Sequence, residues 1–234
     1  MEFSEIVYIK EPGPSNTVPI LEQAKKRLKA LDIEYAVIAA STGHTVKNFM
    51  KIFYGVKVDI IVASMEKGSK MPVTFLYKKY KKSKEIRDGF LKKGMKYFPN
   101  SLSDETVAEF EKKGIRIFFV PDILGIGAAM SPDDEKRRIK TNLDSFLPKH
   151  LRPLDIEAGT DLSLLNIISK GFRVCVGITS LAAKNGLVPK GKMVLSVAGT
   201  GWAGGGADTA VIIQSNPNPK KCYVKEIIGF PEMK

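Results

Sequence analysis

Residues 194–213 read Val-Leu-Ser-Val-Ala-Gly-Thr-Gly-Trp-Ala-Gly-Gly-Gly-Ala-Asp-Thr-Ala-Val-Ile-Ile, and no other stretch limits the fold as strongly. Two apolar runs of strand length, 193–198 and 209–213, are joined by a loop holding Gly199, Gly201, Gly204, Gly205, Gly206 and the single Trp of the chain, Trp202. Buried strands of this kind, without polar alternation, belong to a sheet covered on both faces. Glycine is used where φ must be positive or where backbone must approach a ligand closely. Successive free N–H groups in such a loop form a concavity suited to an anion. The same residues also suit a plain hairpin connection, with Trp202 closing the edge of the core.

A second junction repeats the theme. Residues 35–40 are Tyr-Ala-Val-Ile-Ala-Ala, an apolar run that gives way at once to Ser41-Thr42-Gly43-His44-Thr45. Val46, Phe49, Met50 and Phe53 then follow at i, i+3, i+4 and i+7, one face of a helix. The small polar loop therefore joins the end of a strand to the head of a helix. Free N–H groups and the positive end of the helix dipole converge there, and Ser41, Thr42 and Thr45 add hydroxyl donors. Such a loop is a natural phosphate site, and equally an ordinary N-cap. His44 reads as an exposed first-turn residue.

The order of elements sets the architecture. A strand at 5–10 precedes a break at Glu-Pro-Gly-Pro-Ser-Asn-Thr, where Asn16 or Thr17 caps a helix carrying Leu21, Ala24, Leu28 and Leu31. Strands at 35–40, 56–63 and 115–120 follow in alternation with helices. That alternation predicts a mainly parallel sheet with helices on both faces, a three-layer α/β/α domain. A last strand at 222–230, reached through the turn Asn216-Pro217-Asn218-Pro219, predicts an antiparallel C-terminal edge. Residues 65–113 exceed an ordinary connection and read as an insertion with structure of its own, opening on a loop at 65–73. Within it, residues 76–84 interleave lysines with tyrosines, a run that would suit nucleic acid but more simply forms a solvated, mobile face. Ser103 or Asp104 caps a helix. Residues 123–131 form a small, glycine-bearing segment placed to line a pocket, and residues 132–153 read as a charged, peripheral helix. Thr160 or Asp161 starts another helix that closes at Gly171, and residues 172–186 form a buried helix ended by Asn185-Gly186.

Composition narrows the function classes. The 234 residues suit one α/β domain with an insertion, and 44% hydrophobic content supports a large core. A formal net charge of +12 favours anionic partners without selecting one. No apolar run reaches the length of a membrane span. The acidic opening Met-Glu-Phe-Ser-Glu lacks a signal-peptide pattern, and Cys175 and Cys222 show no framework spacing, so a cytoplasmic protein with free thiols is expected. There is no metal-spaced Cys/His cluster, no Gly-x-Ser-x-Gly elbow and no Walker lysine motif. His44 and His150 are the only histidines, and neither has a triad partner beside it in sequence. Catalytic residues are not identified. A homo-oligomer is compatible with all of this.

The stretch Gly-Lys-Met-Val-Leu-Ser-Val-Ala-Gly-Thr-Gly-Trp resembles the end of the pyruvate kinase C-terminal domain. Gly-Ala-Asp-Thr-Ala-Val at 206–211 and Lys-Glu-Ile-Ile at 225–228 resemble a narrower group, stand-alone proteins similar to that domain. The likeness is clearest over residues 17–64 and 172–230. It implies flavin mononucleotide (FMN) as the cofactor, bound by a protein without established activity. The alternatives are a phosphometabolite sensor without catalysis and a basic nucleic-acid-binding protein. It also implies a site built from Ser41, Thr42, Gly43, His44 and Thr45 around the phosphate. Gly199, Thr200, Gly201, Trp202, Gly204, Gly205, Gly206, Asp208 and Thr209 would surround the rest, with Trp202 as a stacking wall and Asp208 as an acceptor or, equally, a turn-capping carboxylate. Two departures matter. Pyruvate kinases that hold fructose bisphosphate carry an Arg after the Thr-Gly-Trp, where this chain has Ala203; the stand-alone relatives have a Glu where this chain has Gly177. The first departure points to a monophosphate ligand. Nothing resembles the barrel that carries phosphoryl transfer in pyruvate kinase, so that activity is not expected.

Overall fold

The computed structural model describes residues 5–73, 76, 81–120, 162, 165–199 and 205–232. Seven strands form one sheet: β1 (Val7–Ile9), β2 (Tyr35–Ala39), β3 (Asp59–Met65), β6 (Arg116–Val120), β7 (Met193–Ala198), β8 (Thr209–Gln214) and β9 (Tyr223–Pro231). Their spatial order is β1-β9-β8-β7-β2-β3-β6. The pairs β1/β9, β2/β7, β2/β3 and β3/β6 are parallel, whereas β8 runs antiparallel to both β7 and β9. The expected antiparallel strand is thus present but internal. The N-terminal strand β1 adds beyond β9 and forms the edge.

Side-chain alternation divides the core into two layers. Ala36 and Ile38 of β2, Leu195 and Val197 of β7 and Ala210 and Ile212 of β8 face helices α1 (Thr17–Ala30), α2 (His44–Ile52) and α4 (Asp104–Glu111). Val37, Val194, Val211 and Ile213 face the other way, against α5 (Lys170–Lys184). Because successive residues of a strand point to opposite sides, the continuous apolar runs in the sequence are what a sheet covered on both faces requires. Helices α1, α2 and α4 lie between strands that step along the sheet in one direction. Helix α5 leads into β7, which lies back the other way, and it takes the opposite face, as a single crossover hand dictates.

Local signals account for most boundaries. Ser103 caps α4 by accepting a hydrogen bond from the Thr106 N–H at 3.2 Å, and Ser169 caps α5 by accepting from the Phe172 N–H at 3.0 Å. Helix α1 starts at Thr17 as expected, but neither candidate cap acts as a cap. The Asn16 amide turns back to the Glu11 and Gly13 carbonyls, and the Thr17 hydroxyl accepts from the Ala207 N–H at 3.0 Å. Gly171 does not close a helix. The short turn Leu165–Ile167 precedes it, and Gly171 lies in the first turn of α5.

The insertion folds on itself. Strands β4 (Lys70–Pro72) and β5 (Tyr97–Pro99) pair antiparallel, and α3 (Lys81–Lys92) packs with them around Met71, Val73, Leu76 and Phe98. Residues 65–73 were expected as loop and instead supply β4 and the end of β3. The lysine-rich run leads into α3, and its residues 77–80 lie outside the described residues, as do the segments 123–131 and 132–153 with His150. Both cysteines are free, Cys175 buried and Cys222 half-buried. Among the described residues, no helix is long and apolar enough to cross a membrane.

Candidate functional site

The carboxyl ends of β2, β3, β6 and β7 all lie at one end of the sheet, and an open cleft lies there, bordered by the strand-end residues Ala39, Ala63, Met65 and Val120. Its position follows from the winding. The chain leaves β2 towards the face carrying α2, while the helix that feeds the adjacent β7 lies on the other face. A crevice must open over the strand ends where the winding diverges, and ligands of open α/β sheets bind there.

One wall is the junction between β2 and α2. Ser41, Thr42, Gly43, His44 and Thr45 all border the cleft. Gly43 is the N-cap of α2 with φ 80° and has no side chain to cap the helix, while the Thr42 hydroxyl accepts from the His44 N–H at 3.4 Å. Thr42 and His44 are exposed, whereas Gly43 and Thr45 are buried. The His44 ring lies 3.3 Å from the Asn48 amide, one turn further along, and the same amide donates to the His44 carbonyl at 2.9 Å. The first-turn N–H groups of α2 and the positive end of its dipole therefore face a space bordered by hydroxyls.

The glycine-rich loop approaches from the side. Gly199, Gly205 and Gly206 border the same cleft. The two loops singled out in the sequence, far apart along the chain, thus meet in space. Gly206 presses on Pro14, and the adjoining Ala207 N–H is held by Thr17, so the loop after β1 buttresses this wall. Asp208 and Thr209 are buried behind it, with the Thr209 hydroxyl donating to the Asp208 carboxylate at 3.1 Å. They support the loop and are not among the residues bordering the cleft. Thr200, Gly201, Trp202 and Gly204 lie outside the described residues.

The opposite wall was not foreseen. Lys170, Val174 and Ile178 of α5 border the cleft at i, i+4 and i+8, one stripe of the helix. Lys170 heads that stripe and is only 8% exposed. Burial, reinforced by the Arg173 guanidinium, pushes its ammonium down to about 8, while the Asp208 carboxylate opposes the shift. The head of α5 packs tightly on β8: a Cβ at Gly171 would run into the Thr209 side chain, which is why only glycine fits there. Ala39, Ala63, Met65 and Val120 supply an apolar floor from the strand ends, and Ser64 and Asn100 add polar groups at its margin. The Ser64 hydroxyl accepts from the Leu102 N–H at 3.0 Å, tying the end of the insertion to β3.

No family model matches the chain. Among the described residues, no group of three or more His, Cys, Asp and Glu could hold a metal ion. The cleft combines hydroxyls and helix-head N–H groups, a buried lysine and an apolar floor. Such a site can hold an anion and an apolar body together.

Proposed function

We propose that this protein binds a small molecule made of a phosphate and a flat, largely apolar body, and that FMN is that molecule. The observation that carries the reading is the pairing in one cleft of the hydroxyl-bordered α2 head with the apolar residues Val174 and Ile178 of α5. A bare phosphosugar would leave Val174, Ile178, Met65 and Val120 facing hydroxyl groups, which costs apolar burial and offers few hydrogen-bond partners. A ring system covers them. The stripe from Lys170 to Ile178 is about 12 Å long at 1.5 Å per residue, a span that accommodates three fused rings.

The residues present fit FMN on their chemistry. Ser41, Thr42, Thr45 and the α2 N–H groups would hold the phosphate, and the small Gly205 would let the loop lie against it. The apolar floor would take the isoalloxazine, and Lys170 would supply a cation within the cleft. A bound flavin supplies hydride and single-electron transfer, which the protein directs by position and nearby charge. The resemblance to stand-alone proteins similar to the pyruvate kinase C-terminal domain supports the same choice.

The test is direct. Calorimetric titration of the purified protein, stripped of any bound small molecule, with FMN and with fructose bisphosphate is expected to show tighter binding of FMN. Protein purified without stripping is expected to be yellow. Tighter binding of the bisphosphate would overturn the choice of cofactor and favour a phosphometabolite sensor.

A further inference from the structure

The cleft is bordered on the α5 side by a buried cation, Lys170, and that cation is in a costly place. Lys170 lies in the first turn of α5, where the helix dipole already disfavours a cation. Arg173 stands nearby on the same helix and disfavours it further, and burial adds a third penalty. Asp208 is the one carboxylate among the described residues that draws the ammonium back towards its charged form. A residue that conflicts with its helix, its neighbour and its burial is expected where function requires it.

Its place in the fold distinguishes it from the phosphate loop. Helix α2 packs on one face of the sheet with Val46 and Phe49, and α5 packs on the other with Val174 and Ile178. A ligand that reaches both must pass over the strand ends of β2 and β7. We infer that Lys170 is the specificity-determining cation of the cleft, reading an electron-rich or anionic edge on the body of the bound molecule while the head of α2 takes its phosphate. This deepens the reading given under Proposed function and rests on it. The ligand class is then bipartite: a phosphate at one end and, on a flat body, a carbonyl or imide edge able to accept from an ammonium. Sugar phosphates lack the second feature, and simple aromatic phosphates lack the accepting edge.

Riboflavin separates the two recognition points, because it keeps the ring edge and lacks the phosphate. The experiment measures dissociation constants of FMN, riboflavin and inorganic phosphate for the wild type, Lys170→Met and Lys170→Arg. Lys170→Met is expected to weaken FMN and riboflavin by the same factor, about tenfold or more. It is expected to leave inorganic phosphate unchanged, and Lys170→Arg is expected to recover part of the loss. If Lys170→Met weakens FMN and inorganic phosphate but not riboflavin, the lysine belongs to the phosphate site and the inference is overturned. A wild type that binds fructose bisphosphate and neither flavin overturns the cofactor choice and the inference with it. Should Lys170→Met fail to fold, the pH dependence of the wild type gives the answer. Riboflavin affinity is expected to fall as pH rises through about 8 and to do so in parallel with that of FMN. Among the described residues, the charged groups acting on the amine are Arg173 on α5 and Asp208 ahead of β8, and His44 at the head of α2 borders the same cleft. Riboflavin binding that stays flat from pH 7 to 9.5 overturns the inference.

Discussion

Gly205 lies against Thr42 so closely that a Cβ added to it would stand 2.5 Å from the Thr42 hydroxyl oxygen. Its φ of 80° is also in the left-handed region that side chains rarely adopt. This close approach, which also lies beside His44, brings the loop after β7 onto the loop after β2, and so shapes the mouth of the cleft. Replacing Gly205 by Ala is expected to push the loops apart and weaken FMN at least tenfold. The left-handed conformation should cost about 1–2 kcal/mol of stability, lowering Tm by roughly 2–8 °C for a chain of this size. Titration and a melting curve check both. Unchanged FMN affinity in the Ala variant would mean that the convergence of these loops plays no part in binding.

Thr42 and Thr45 test the phosphate assignment separately from loop shape. Thr45 is buried in the first turn of α2, and Thr42 is exposed beside the N-cap. A hydrogen bond to a charged group contributes about 1.5–3 kcal/mol, or roughly ten- to a hundredfold in affinity. Thr42→Val and Thr45→Val are each expected to weaken FMN and inorganic phosphate within that range and to leave riboflavin nearly unaffected. Full retention of FMN affinity by both variants would place the phosphate elsewhere.

The sheet and one wall of the cleft were legible because apolar runs, helical spacing and glycine loops are local signals. The loop following Ala39 and the loop preceding Thr209 were both recognisable as strand-end loops, and their meeting followed from the parallel topology. Lys170 was hidden by a boundary error. With Gly171 read as the close of a helix, Lys170 fell in the last turn of that preceding helix, and its register with Val174 and Ile178 was lost. The glycine is instead there for packing against Thr209, a tertiary reason with no trace in local sequence. The position of β1 escaped for a similar cause. A three-residue strand carries no mark of whether it pairs with its neighbour in sequence or with the far end of the chain, and here it pairs Val7 with Gly229. Gly229 allows that approach, since a Cβ there would meet Ile20 and the Val7 carbonyl.

That long-range closure has an ionic link. Arg27 of α1 donates to Glu226 of β9 through Nε at 2.6 Å and through a terminal nitrogen at 2.9 Å, with both side chains partly buried. The two-point geometry of an arginine on a carboxylate gives it more weight than an exposed pair. Arg27→Gln is expected to lower stability by about 1–3 kcal/mol, or a few degrees to roughly 12 °C in Tm, with FMN affinity preserved because neither residue borders the cleft. Urea unfolding checks the first part. A loss below about 0.5 kcal/mol would show that the pair contributes no more than a surface salt bridge does.

Two buried groups give the apo protein opposite responses to alkali. In the unfolded chain Lys170 keeps its proton up to the ordinary value of 10.5, whereas in the fold it releases it at about 8. Between those values the unfolded state binds more protons, so folding stability rises with pH. The Cys175 thiol behaves in the reverse sense: burial holds its ionisation up to about 12 against an ordinary 9.0, so the unfolded state loses its proton first and stability falls from pH 9 upwards. Stability is therefore expected to climb from about pH 7.5 to 9 with a slope of at most about 1.4 kcal/mol per unit, to level where the two effects oppose, and to fall above 10.5. Lys170→Met should lose the climb, and Cys175→Ala should lessen the fall. Urea titrations of the three apo proteins across this range make the comparison, with differences from the wild type cancelling the many groups they share. An identical slope for the wild type and Lys170→Met below pH 9 would show that the Lys170 ammonium is not destabilised by its surroundings, and that the head of α5 tolerates its charge without a ligand.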